Sequence, residues 1–265
     1  MRIHRLIERE SHRVTAHIPA RPSDTLVIGF NPIAKGLADT GFGSDLVLSM
    51  GMAHVFVAEG AHSQYQLLTP RALRRALLPL LADHPRVFAY GASLGGHAAL
   101  YYCSVIGARA IALAPRLPLH SCYRAFGESR NRRLTRGRLR HRDLPEIADP
   151  ALSPVVLHDP WNGPDADYVD RFVRPAFPGA VFLPVRGAGH GVARVLARQG
   201  RLKPFIGAIL REGIVGPLGH DPDFRPGAAC EESGGIGAGG GGAESRRIAF
   251  APPPPYLVNP TDDPA

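Results

Sequence analysis

Residues 87–97 read Val-Phe-Ala-Tyr-Gly-Ala-Ser-Leu-Gly-Gly-His. A short apolar run leads into G-x-S-x-G and then into an alanine-rich stretch. A serine in that setting can serve as a nucleophile. It must stand on a sharp strand-to-helix turn, where its hydroxyl projects above the edge of a sheet. The backbone there is strained, so the positions two before and two after must be small; Gly91 and Gly95 fill them. The N–H of Leu94, at the head of the helix, can stabilise an oxyanion, and the helix N-terminus adds a partial positive charge. G-x-S-x-G alone is common by chance, and the plain alternative is a glycine-rich turn with an incidental serine. The strand before Ser93 and the helix after it supply the context the motif demands.

A serine needs a base. The apolar run 180–185 leads into Arg186-Gly187-Ala188-Gly189-His190-Gly191. Glycines let such a loop come close to the serine, and an imidazole at His190 would take the Ser93 proton. Other histidines compete. His97 lies one turn into the elbow helix and is expected to pack beneath the sheet's end. His54 starts a strand, while His62 and His158 end strands, on the edge where sites form. His62 is retained as a candidate substrate contact. Elsewhere a lone histidine is more often structural than catalytic.

On Gly91-Ala92-Ser93-Leu94-Gly95-Gly96 and the Gly-Ala-Gly-His motif ending at His190, the chain resembles the α/β-hydrolase superfamily over roughly residues 25 to 212. That resemblance implies a Ser, Asp or Glu, His order along the chain, with the acid in the loop after the strand Val155–His158. The loop offers Asp159, Asp165, Asp167 and Asp170. The usual family form is a strand, His-Gly, two residues and then Asp. Counted from His158, it lands on Asn162, a departure. Asp165 in a longer loop is favoured, with Asp159 as the alternative acid. Asp167 and Asp170 suit the first turn of the following helix. The family's second oxyanion donor comes from the loop after the third strand, here 30–36. Pro32 has no N–H, which leaves Phe30, Asn31 or Ile33, or the side chain of Asn31. The HGGG form seen in some esterases is absent from this loop. Asn31 is taken as the second oxyanion-hole residue beside Leu94.

The resemblance implies a serine hydrolase acting on an ester or thioester through an acyl-serine, with no cofactor and no metal. More loosely, the chain is similar to relatives found beside bacterial polysaccharide synthesis and accessory secretion systems, some of which are sugar O-acyltransferases. Transfer to a sugar or polysaccharide on the same triad is therefore the second reading. A small-molecule or glycan acyl substrate is the implied partner.

The elements that must position these residues follow from apolar patterning. Thr25–Phe30 is a continuous apolar run between turn residues. The same form recurs at 53–58, 86–90, Val155–His158 and 180–185, with 108–114 a further candidate. Such runs suit strands buried on both faces. Helices are expected at 70–84, Leu94–Ile106, 167–176, 191–198 and 202–211. Thr69 is the expected N-cap of the first, with Pro70 at its first position and Leu73, Leu77, Leu80 and Leu81 on one face. Pro79 should kink or shorten that helix. Alternation of this kind implies an α/β fold, a mostly parallel sheet with helices on both faces. A short N-terminal hairpin within the first twenty residues is also expected.

Two segments break the rhythm. Residues 121–149 are rich in arginine and read as a basic insertion or lid. They could bind an anionic substrate, or they could be a solvated excursion in an arginine-biased sequence. From 214 to 265 the glycine and proline content reads as a disordered C-terminal tail, leaving 1–213 as the α/β-hydrolase domain.

The 265 residues carry a formal charge of +8, with 45% hydrophobic residues. A non-catalytic basic binding or partner protein that uses the fold as scaffold is thus a third reading. Against it, stacking aromatics are not interleaved with the arginines, so no specific nucleic-acid partner is expected. Three cysteines at wide spacing argue against a disulfide framework. The first residues lack the apolar region of a secretory signal, and no stretch approaches the ~20 apolar residues of a membrane span. A cytoplasmic protein is expected.

Overall fold

A computed structural model describes residues 1–33, 36–60, 63–121, 123, 139–215 and 246–247. Strands β1 (Arg2–Glu8) and β2 (His12–Ile18) form the expected N-terminal hairpin. Six further strands follow: β3 (Thr25–Phe30), β4 (Ala53–Glu59), β5 (Arg86–Ala92), β6 (Arg109–Leu113), β7 (Val155–His158) and β8 (Val181–Pro184). They join the hairpin in one sheet of order β1-β2-β4-β3-β5-β6-β7-β8. β1 and β2 are antiparallel to their neighbours; the rest run parallel.

Successive side chains of a strand point to opposite faces, so a strand buried on both sides must be apolar throughout. β3 and β5 divide their residues in this way. Leu26, Ile28, Phe30, Val87 and Ala89 join one core, packed on the helices Pro70–Asp83 and Leu94–Ile106. Val27, Phe88 and Tyr90 join the other, packed on Ser44–Ser49, Val192–Arg198 and Leu202–Glu212. The helix Leu94–Ile106 is buried along almost its whole length, which is why its sequence is apolar all round.

Thr69 caps Pro70–Asp83 as expected, its hydroxyl accepting from the Ala72 N–H at 3.2 Å. Pro79 does not end that helix, which runs on to Asp83. Pro79 lies on the exposed side of the helix, away from the buried Leu73 and Leu77. The helix expected at 167–176 begins earlier, as Gly163–Tyr168. It continues through a π turn, Val169–Val173, into Arg174–Ala176.

Of the basic segment 121–149, residues 122 and 124–138 lie outside the described residues. Its described part is tied to the body. The buried Gln66 side chain accepts from the N–H groups of Arg140 and His141 at 2.9 and 3.0 Å. Leu144–Ile147 is a short helix opened by a capping box between Asp143 and Glu146. Most of the tail from 214 also lies outside the described residues. Within it, Ile214–Val215 pairs with Arg246–Arg247 in a small antiparallel ladder. Among the described residues, no helix is long and apolar enough to cross a membrane.

Candidate active site

The parallel strands end together at one edge. Phe30 of β3 stands beside Gly91 of β5, Gly91 beside Ala112 of β6, and Leu113 beside Leu157 of β7. The chain leaves β5 at this edge through Ser93, whose φ of 57° and ψ of −123° lie where an L-residue is strained. Three main-chain bonds hold it there. Its N–H donates to Leu113 O at 2.8 Å, and its carbonyl accepts from His97 and Arg116 N–H, each at 3.0 Å.

The small neighbours are steric necessities. A Cβ on Gly91 would lie 2.2 Å from Gly95 O, and one on Gly95 would lie 2.2 Å from Phe30 O. The second contact brings the head of the elbow helix against the turn after β3. Leu94, the first helical residue, has no helical carbonyl one turn back for its N–H, the ordinary condition of a helix start.

His190 lies in the short turn Gly189–Gly191 after β8, reached through Gly187 at φ 73° and Gly189 at φ 56°. Its Nε2 lies 2.8 Å from Ser93 Oγ, and its Nδ1 lies 2.6 Å from Asp165 Oδ2. The Asp165 side chain is 1% exposed and that of His190 is 34% exposed. The neutral imidazole can therefore donate Nδ1–H to the carboxylate and accept the serine proton at Nε2. Asp165 Oδ2 also accepts from the Asn162 amide at 2.7 Å.

The rival acid, Asp159, is held differently. Its Oδ1 accepts from Trp161 N–H at 3.0 Å and its Oδ2 from Gly189 N–H at 2.7 Å. It grips the backbone of the histidine loop, whereas Asp165 grips the ring. Asn162 stands where the common spacing puts the acid, at the N-cap of Gly163–Tyr168, with Asp165 three positions on. Residues three apart in a first helical turn are neighbours. An acid displaced by one turn thus reaches the same imidazole.

Asn31 does not offer its main-chain N–H to the site, because that group donates to Val57 O at 3.1 Å. The loop leaves β3 still in register with β4, and this consumes the amide. The Asn31 carbonyl accepts from the Tyr65 hydroxyl at 2.8 Å. Only the side-chain amide of Asn31 is left to serve an oxyanion. His62 lies outside the described residues.

The other candidate histidines, His54, His97 and His158, are buried. His97 lies 2.6 Å from the Tyr168 hydroxyl through Nδ1, and burial pulls its pKa down to about 3. His54 is bonded to Val27 O and Ser44 Oγ, each at 2.9 Å, and burial lowers its pKa to about 4. His158 ends β7 buried, with both ring nitrogens lacking a hydrogen-bond partner among the described residues.

Sequence reasoning missed three supports: the Asp159 grip on Gly189, the Asn162 amide on Asp165, and Tyr168 on His97. The first two had a signal in the loop 158–170, whose polar side chains exceed what a single acid requires.

No protein-family model matches the chain. No curated protein matches it. Solved structures do. Thermogutta terrifontis esterase 2, phosphonylated by cyclosarin, is similar with a TM-score of 0.52 at 16% identity, over 78% of this chain and 93% of that one. The capsule O-acetyltransferase of Neisseria meningitidis serogroup A is similar with a TM-score of 0.52 at 14% identity, over 77% and 93%. Carboxyl esterase 2 of the mycorrhizal fungus Tuber melanosporum is similar with a TM-score of 0.50 at 15% identity, over 76% and 80%. At such identities the likeness is one of fold. With the strand order and the strained serine turn already described, it establishes that this chain has the α/β-hydrolase fold.

Proposed function

We propose that the chain is a serine hydrolase that cleaves an ester or thioester through an acyl-serine intermediate. The observation that carries this reading is the linear relay from Ser93 Oγ through His190 to the buried Asp165, at 2.8 and 2.6 Å, on a strained turn. In the first half-reaction, Ser93 Oγ attacks the acyl carbon as His190 Nε2 takes its proton. Negative charge forms on the former carbonyl oxygen, where the Leu94 N–H receives it. Collapse of this intermediate breaks the bond to the alcohol or thiol, which leaves with the proton from His190. In the second half-reaction, a water gives a proton to His190 Nε2 as it attacks the acyl carbon; collapse then breaks the bond to Ser93 Oγ, which takes that proton back from His190 as the acid leaves. Asp165 stays ionised and stabilises the imidazolium in both halves.

O-acyl transfer is the second reading. It uses the same first half, and a sugar hydroxyl replaces water in the second. The likeness in fold to a capsule O-acetyltransferase, equal in TM-score to that of the esterase, supports keeping it.

Labelling with a fluorophosphonate tests the shared step. The parent protein is expected to label at Ser93, Ser93→Ala to lose the label, and His190→Ala to label far more slowly. Folded parent protein that takes no label would defeat the reading.

A further inference from the structure

We propose that the ring of Trp161 is the platform on which the alcohol part of the substrate rests, and that this alcohol is a sugar. The inference rests on the serine-esterase reading above and deepens it. Trp161 is the chain's single tryptophan and is 60% exposed. A tryptophan is ordinarily well buried, so one left open to water in the loop that also carries Asp159 and Asp165 calls for a reason. The backbone beneath it is fixed. Asp159 to Asn162 form a tight turn closed by Asn162 N–H to Asp159 O at 3.2 Å, with Pro160 inside it. Trp161's own N–H is held by Asp159 Oδ1 at 3.0 Å. A rigid turn presents the ring without further ordering on binding.

Position decides which part of a substrate the ring would meet. Asp159 holds both this turn and the Gly189 N–H of the histidine loop, and the next residue, Asn162, bonds the acid that orients His190. The turn that carries Trp161 is therefore tied to the His190 side of the site. The Leu94 N–H, where the acyl oxygen would sit, belongs to the elbow helix. The base hands its proton to the leaving alcohol or takes one from an incoming alcohol, so the alcohol lies on the side of His190. The chemistry of the turn selects the kind of alcohol. An indole offers a flat apolar face, while the neighbouring Asn162 Oδ1 accepts no hydrogen bond among the described residues. A pyranose matches both, with a face of C–H bonds and a rim of hydroxyl donors. A plain alkyl alcohol matches only the first.

Because Trp161 is the chain's one tryptophan, its fluorescence reads the contact directly and needs no turnover. Full-length Ser93→Ala would be titrated with methyl glucoside, galactoside, mannoside and N-acetylglucosaminide, and with 1-hexanol as the alkyl arm. A saturable shift with at least one glycoside and none with hexanol is expected. No response to any glycoside, or a response to hexanol alone, overturns the proposal. In turnover, Trp161→Ala is expected to raise KM for glucose pentaacetate about tenfold more than for ethyl acetate, with Trp161→Phe recovering part of the loss. Equal losses on both esters would mean that the residue only supports the histidine loop, and would sink the idea. Labelling by fluorophosphonate separates the two claims. A labelled protein indifferent to sugars loses the platform alone, whereas an unlabelled protein whose fluorescence answers to a glycoside loses the esterase reading and keeps the platform.

Discussion

Among the described residues, two serine hydroxyls meet the Nε2 of a distant histidine at nearly the same distance. Ser93 Oγ lies 2.8 Å from His190 Nε2, and Ser44 Oγ lies 2.9 Å from His54 Nε2. Both rings have their Nδ1 in a second hydrogen bond, so the two relays share a pattern. They differ in what ends it. Behind His190 stands a carboxylate; behind His54 stands the neutral carbonyl of Val27. An imidazolium formed at His190 has a negative partner, whereas one formed at His54 would be a buried cation with a dipole for company. Ser44 differs from Ser93 in burial as well. It is closed off from solvent and accepts the Gly41 N–H at 2.9 Å, with an ordinary helix starting at it. Distance between serine and histidine therefore says little about reactivity; the third partner, access and backbone strain separate the two pairs.

Removing the carboxylate tests that contrast most severely. Asp165→Asn keeps the shape and removes the charge, so kcat should fall by about a hundredfold to ten-thousandfold, measured on any ester the parent turns over. A small loss would mean that a carbonyl-backed histidine suffices, and the contrast with His54 would collapse. Asp159→Ala attacks the loop instead of the ring. It leaves Gly189 N–H without its acceptor, and a fall of about tenfold in the rate of fluorophosphonate labelling is expected.

Ser44→Ala addresses the other pair. It should cost about 1–2 kcal/mol of stability, read by chemical denaturation, because Gly41 N–H and His54 Nε2 lose a buried partner. Activity should stay within about twofold of the parent. A collapse of activity without a collapse of stability would show Ser44 to be chemical after all. Acid probes the buried histidines without any substitution. His54 and His97 remain neutral in the folded protein down to about 4 and about 3, with burial the main cause. The unfolded chain binds their protons below about 6.5. Between those values the unfolded state holds more protons, so stability is complete above about 6.5 and falls as pH drops through the window. Each histidine should remove about 2 kcal/mol by pH 5. His54→Gln should flatten the pH dependence of the denaturation midpoint by one proton's worth and leave the rest of the profile in place.

Much of this was legible in the sequence, for reasons that differ by residue. Thr25–Phe30 and Val155–His158 are bounded by turn residues and apolar throughout, and the chain forms strands over those same residues. Glycines mark both of the turns whose side chains, Ser93 and His190, the fold brings together. Asp165 against Asp159 was not decidable by spacing, since both carboxylates serve the same histidine loop by different routes. The helix Ser44–Ser49 had no pattern of its own, and it is held by packing of Val47 into a core assembled from distant strands. Gln64 and Tyr65 sit at φ 48° and 62°, a left-handed turn that non-glycine residues give no warning of. It survives because both are buried, Gln64 Oε1 accepting from Leu119 N–H at 3.1 Å and Tyr65 bonded to Asn31. Tertiary contacts override local preference there.

The strain at Ser93 has a consequence for the protein's evolution. A φ of 57° with a ψ of −123° is open to glycine without penalty and strained for any residue that carries a side chain. Ser93→Gly should therefore melt later than Ser93→Ala, by about 1 kcal/mol, and later than the parent as well. The fold would be sturdier without a side chain at this turn. Selection for durability alone would favour glycine at this position; on the serine-hydrolase reading proposed above, turnover is what opposes it.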